Sequence, residues 1–424
     1  MKILSCFLVS ILMVSCANEP LKVTNPKDYN TYLASQVSRT TSKYFELWNA
    51  KIGCDSTQLL SFSNVAAEYH RFFEETGEID YLKKSEKALQ KAVEIANINQ
   101  EGYARSLARN YISQHRFKEA LDITILANRL KGGKRETQAL FFDVHMELGN
   151  YDVARAYLDS IKNVSNFGYL IRAAKWNDYK GDLNTTIHLM EKAMDKAESS
   201  NNKNLKLWSY TNIADYYGHA GRIHDSYKYY LKALKLNPKD AYAKKGIAWI
   251  VYSHEKNGKE ALRILNTITE GYEAPDYDLL KAEIHDFLGN SEGKIVSLGN
   301  YLKKVNNPNY GSMYNALSVD FFLSEAKLYK KALKLAEVEV LNRPTPASYG
   351  LLAKTLLKMG KKKEALEIVE SKITDQTYEP NILFTVALVL KANGKEAKVK
   401  YLKEGLMESA YEMGPLILNE IAAL

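Results

Sequence analysis

Trp208-Ser209-Tyr210, Ile213-Ala214, Tyr217, Gly221, Ser226, Tyr230, Ala233 and Pro238 decide how this chain is read. Two runs with helical spacing of large residues flank Gly221, and Pro238 closes the second. Gly221 can take a positive φ and end the first helix at little cost. Small residues at Ala214 and Ser226 let the two helices approach closely. Tyr217 and Tyr230 are large enough to fill the gap to a neighbouring pair. The stretch therefore predicts a helical hairpin that needs a second hairpin beside it to bury its apolar stripe.

The same pattern recurs along the chain. Leu107-Ala108, Tyr111, Ala120 and Ala127 repeat it, with His115 where the turn glycine belongs. Gly149 with Ala154, Gly181 with Ala174 and Ala193, and Gly360 with Leu352-Ala353 and Ala365 repeat it again. Tyr252 with Ala261 implies a turn at Lys256, and Tyr329 with Ala332 implies one at Lys327. Gly77, Gly289 and Gly394 mark three more. Ten turn positions from 77 to 394 give a mean period of about 35 residues.

That period, with an aromatic, a large–small pair, a tyrosine, a turn glycine and a closing proline, resembles the tetratricopeptide repeat. The resemblance covers roughly residues 57–410. It implies an all-α, right-handed α-α superhelix of about ten hairpins, with the first helix of each unit facing a concave groove. Residues 28–56 are expected to form a capping helix with Tyr32, Val37, Tyr44, Leu47 and Trp48 as apolar positions, and residues 411–424 the opposite cap.

Met1–Ser15 reads as a signal peptide: Lys2, then an apolar run from Ile3 to Val14 too short to span a bilayer comfortably. Met13-Val14-Ser15-Cys16 resembles the lipobox of bacterial lipoproteins, which implies lipidation of Cys16. Residues 16–27 then form a tether, and the expected location is the cell envelope, at the outer membrane. The three cysteines are Cys6, Cys16 and Cys54. Cleavage and lipidation leave Cys54 alone, so the core must hold the fold without a disulfide.

The formal net charge is +8 over 424 residues, spread along the chain, which does not call for nucleic acid. The basic runs Lys131–Arg135 and Lys358–Lys363 fall at predicted turns. No catalytic signature is found. His254-Glu255 lacks a second histidine at metalloprotease spacing, and Gly289–Lys294 is one residue short of a phosphate loop. His219 and His224 flank the Gly221 turn as exposed turn histidines. No enzyme activity and no cofactor are expected.

Binding is the remaining reading. The family's groove positions, carried onto this chain, are Arg105, Arg109, Asp143, Arg172, Lys175, Asp178, Trp208, Thr211, Asp215 and His219. Arg105 and Arg109 lie one helical turn apart, spaced to grip one carboxylate. Trp208 is a large aromatic at an open position. The expected function is a membrane-anchored scaffold that holds a protein or peptide in its groove. The alternative is a carbohydrate-capturing outer-membrane lipoprotein of the starch-binding type. Against it, the repeats are nearly contiguous, and Trp48, Trp176, Trp208 and Trp249 all fall on predicted helices.

Overall fold

The computed structural model describes residues 22–34, 41–53 and 57–424. Among these, every regular element is helical. Ten hairpins, numbered here one to ten, follow one another. The first five are Leu59–Thr76 with Ile79–Ile95, Gln100–Ser113 with Phe117–Arg129, Lys134–Glu147 with Tyr151–Ser160, Phe167–Tyr179 with Leu183–Ser199, and Lys203–His219 with Ile223–Leu236. Hairpin six pairs Ala241–Trp249, extended by a π turn over Ile250–His254, with Gly258–Thr269. Hairpins seven and eight are Asp276–Phe287 with Ser291–Val305 and Asn315–Ser324 with Tyr329–Asn342. Hairpin nine pairs Pro346–Lys358 with Lys362–Ile368, extended by a π turn over Val369–Ile373. Hairpin ten is Pro380–Ala392 with Glu396–Glu408, and a final helix spans Ala410–Ala422.

All ten predicted turn residues have positive φ, the non-glycines His115, Lys256 and Lys327 included. At Gly221 the amide of Arg222 donates to the carbonyl of Tyr217 (2.8 Å). At His115 the amide of Arg116 donates to the carbonyl of Tyr111 (2.9 Å). One closing bond therefore serves both residue types, and the backbone conformation, not glycine itself, is what the repeat requires. Asn166, Asp182, Asn202, Asp240, Asn257 and Asn290 cap the helices that follow them, as short acceptor side chains do. Ala108, Ala120, Ala154, Ala174, Ala214, Ser226, Ala233, Ala261, Ala353 and Ala365 are fully buried where helices cross.

The coil closes on itself. The amide of Glu273 donates to the carbonyl of Thr76 (2.7 Å), and Ala274 lies against Gly77. Ser312 Oγ and Asn342 Nδ2 donate to the carbonyl of His115 (3.4 and 3.2 Å). Pro344 abuts Gly149, and the Tyr378 ring abuts Gly181. The Ser312–His115 pair is 197 residues apart, and the Thr76, Gly149 and Gly181 contacts keep close to that offset, while Asn342 reaches His115 from 227 residues away. One superhelical turn therefore takes about five and a half hairpins. Hairpin turns of the first half rest on the connectors of the second.

The N-terminal region departs from a single capping helix over 28–56. Two short helices are present, Pro26–Leu33 and Lys43–Asn49, begun by the side-chain caps Asn25 and Ser42. The second covers hairpin one, with Phe45 edge-on to Tyr69 and Phe72. The first lies on hairpins five and six. Val23 and Thr24 donate amides to Glu255 Oε1 (2.8 and 2.5 Å), and Tyr29 Oη donates to Glu260 (2.7 Å). Burial of Tyr29 and Leu33 in the largest apolar cluster accounts for that placement. Val37, Cys54, Cys16 and the whole of 1–21 lie outside the described residues.

The final helix packs Met413 and Ile421 on Phe384, Ala387 and Leu406 of hairpin ten. It also reaches across the coil. The carbonyl of Tyr411 accepts from Trp249 Nε1 (3.2 Å) and Ser253 Oγ (2.6 Å) of hairpin six.

Candidate binding cleft between the coil turns

Where the turn edge of hairpins three to five meets the connectors leading into hairpins nine and ten, a cleft of about 620 Å³ remains. Its first-half wall includes Glu147, Tyr151, Lys175, Asp178, Tyr179 and His219. Its second-half wall includes Arg343, Tyr378, Glu379, Glu408 and Glu412. A smaller cavity of about 250 Å³ adjoins it, lined by Asp215, His219, Tyr230, Trp249, Tyr411 and Glu412. Gly218 makes room for the Tyr411 ring, since a Cβ there would stand 2.6 Å from it.

The cleft's two permanent cations share one partner. Lys175 Nζ is 2.7 Å from Glu147 Oε1, and Arg343 Nη2 is 3.1 Å from Glu147 Oε2. Burial works against the Glu147 carboxylate, but these two charges outweigh it and hold its pKa below the ordinary value. Asp178, Glu379 and Glu412 are shifted the opposite way. Burial pushes Asp178 up, against the pull of His219 and Lys175. Burial raises Glu379, and the charges of Glu412 and Asp178 add to it. Burial also raises Glu412, although His219 Nδ1 stands 3.9 Å away. In the adjoining cavity burial raises Asp215 even though the hydroxyls of Tyr230 and Tyr242 donate to it.

The groove residues expected from the sequence divide. Lys175, Asp178 and His219 line the cleft, and Asp215 lines the adjoining cavity. Arg105 does not serve a groove. It is buried, and its Nη1 donates to the carbonyl of Gly132 (3.0 Å) and to Thr137 Oγ1 (3.2 Å), holding the connector between hairpins two and three. The expected Arg105–Arg109 clamp is therefore not formed. Arg109 is exposed beside Asp143 and Arg172. Asp143 accepts from Arg172 Nη2, while Arg172 Nε and Nη1 donate to the carbonyls of Ala139 (3.0 Å) and Gly168 (2.8 Å). Thr211 is buried, its hydroxyl turned onto the carbonyls of Leu207 and Trp208. Trp208 is 39% exposed and stands edge-on to Phe167 at 5.9 Å, away from the cleft.

Replacing Arg105 tests this division. Arg105→Ala is expected to cost about 1.5–3 kcal/mol of stability in urea unfolding, because two bonds from a buried charged donor vanish and the half-buried Gly132 carbonyl loses that donor. Arg109→Ala is expected to fall within about 0.5 kcal/mol.

Glu147, Arg343, Tyr378, Glu379, Glu408, Glu412 and Trp249 were not among the expected groove residues. Glu379 and Arg343 sit in connectors, and only closure of the coil brings them against hairpins three and four.

The described residues form a helical-hairpin solenoid with a cleft between its coil turns. A family model, tetratricopeptide repeat, matches residues 209–240, so hairpin five is a tetratricopeptide repeat within that solenoid. No curated protein matches the chain. Among solved structures the chain is similar to pilF of Pseudomonas aeruginosa, with 12% identity over 50% of this chain and 96% of that one (TM-score 0.37). It is similar to a tetratricopeptide repeat protein from Parabacteroides merdae, with 19% identity over 61% and 97% (TM-score 0.33). It is also similar to yeast Tom70, with 12% identity over 86% and 95% (TM-score 0.36).

Proposed function

We propose that this chain is a membrane-anchored scaffold that docks a segment of a partner protein between the turns of its coil. The observation that carries the reading is the cleft, walled by residues from both halves of the chain and left open when the halves close. A solenoid of paired helices offers a long recognition surface without a reaction centre. Among the described residues, no group of three or more His, Cys, Asp or Glu could hold a metal ion.

Anchoring rests on the sequence: an apolar leader ending at Ser15-Cys16. Acyl chains on Cys16 would hold the protein to a membrane face. The tether would then meet the solenoid at Val23 and Thr24 on hairpin six, midway along the coil.

Affinity capture from detergent-solubilised envelopes tests the docking reading. A stoichiometric protein partner is expected. Retention on a glycan resin without a protein partner would replace this reading with the carbohydrate-binding one. For the anchor, labelling with a fatty-acid analogue is expected to mark the wild-type chain and not Cys16→Ser. Equal labelling of both would remove the anchor from the proposal.

A further inference from the structure

We infer that the cleft between the coil turns receives an organic cation, an ammonium or guanidinium group carried by a lysine- or arginine-bearing segment of the partner. The inference rests on the docking reading above and adds the chemistry of what is docked. Five carboxylates line the cleft: Glu147, Asp178, Glu379, Glu408 and Glu412. Facing them are Lys175, Arg343 and His219. Lys175 and Arg343 are both engaged by Glu147. Among the described residues no cation stands within 4.0 Å of Asp178, Glu379 or Glu408, and Glu412 has only His219. Within ion-pairing distance, four carboxylates, from hairpin four, the connector before hairpin ten, hairpin ten and the final helix, are thus left to one imidazole of hairpin five, while Lys175 and Arg343 act on Asp178 and Glu379 only at longer range.

Two features separate an organic cation from a metal ion. The carboxylates form no chelating group, and the cleft is far larger than an ion needs. Its walls also carry tyrosine faces. Tyr151 and Tyr179 stack at 4.1 Å, and Tyr378 is 57% exposed. Aromatic faces with unneutralised carboxylates suit alkylammonium and guanidinium groups. The raised pKa values of Asp178, Glu379 and Glu412 agree: burial raises all three, the neighbouring cations His219, Lys175 and Arg343 offset it only in part, and a further cation would favour the charged forms. The occupant differs in sign from what an arginine clamp would take.

Calorimetry on the full chain in detergent, with tetralysine, tetraglutamate and spermidine as probes, tests the inference. Tetralysine is expected to bind and to weaken as salt rises, and tetraglutamate is not. The double variant Asp178→Asn, Glu379→Gln is expected to lose tetralysine affinity at least about tenfold, with Glu337→Gln, exposed on hairpin eight, as the neutral control. The double variant is also expected to unfold at a higher temperature, because it removes desolvated charge; a lower midpoint would make these carboxylates structural and overturn the inference. Tetralysine that fails to bind, or binds both proteins equally, overturns it as well. Spermidine binding without tetralysine binding overturns the partner-segment source and assigns the site to a free polyamine. If the double variant still captures the protein partner at full yield, the docking reading stands and the cationic contact falls.

Discussion

Tyr252→Ala is expected to lower the free energy of unfolding by about 3–5 kcal/mol, the range for deleting a buried aromatic ring. Tyr252 is fully buried in the π turn that ends the first helix of hairpin six. It stands edge-on to Trp249 (5.6 Å) and Phe287 (5.4 Å), so its ring joins hairpin six to hairpin seven. Its hydroxyl donates to Glu283 Oε1 (2.9 Å). Burial raises the Glu283 pKa, and that donor is what opposes the rise. Tyr252→Phe keeps the ring and is expected to cost only about 1–3 kcal/mol, the penalty for a buried acceptor left without its donor. Urea unfolding of both variants separates the two contributions. An alanine variant no less stable than the phenylalanine one would show that the ring is not a joint of the stack.

Gly149→Val is expected to lose about 3–5 kcal/mol and Gly360→Val about 1–3 kcal/mol, although the two glycines hold equivalent turns. Both have positive φ, 72° and 80°, where a branched side chain is strained. Around Gly360 nothing lies within 4 Å of an added Cβ. At Gly149 the Cβ would stand 2.8 Å from the carbonyl oxygen of Pro344, a backbone atom that cannot turn aside. The difference between the variants therefore reads the contact between successive turns of the coil. Gly149→Val is also expected to broaden the calorimetric transition into two, because the halves of the chain then unfold with less mutual support. Equal losses at the two sites would mean that the coil turns touch without stabilising each other.

The acidic cleft adds a pH dependence. Asp178, Glu379 and Glu412 have folded-state pKa values above their unfolded ones. The folded chain therefore holds more protons than the unfolded chain between the two values. These groups oppose folding most above their folded pKa, and that opposition fades as pH falls toward their unfolded values. His115 acts in the other direction. Burial and the charge of Arg343 lower its pKa, so its contribution is present at neutral pH and is lost as pH falls below about 6.5.

The hairpins were legible because each is local. A turn residue, two small residues at the helix crossing and a large residue between neighbours all lie within one period of about 35 residues. That is why His115, Lys256 and Lys327 could be assigned to turns without a glycine, from spacing alone. Site residues were legible only in part. Lys175, Asp178, Asp215 and His219, expected in the concave groove, line the cavities between the coil turns. Arg105 and Thr211 occupy equivalent helical positions, yet their side chains are engaged by nearby backbone. Spacing places a Cα on a face; it does not say which carbonyl a long side chain will find.

The amino-acid order alone thus determined the helical class, the number of hairpins and the residue at every turn, since each depends on contacts between near neighbours in sequence. Only the tertiary structure decided where Tyr29 docks, that Tyr411 reaches Trp249, and that Glu379 and Arg343 come to face Asp178 and Glu147. Those meetings depend on the small rotation between stacked hairpins. Summed over about five and a half units, it brings together residues close to 197 apart. No single repeat encodes that sum, so the cleft and its charge appear only when the coil has closed.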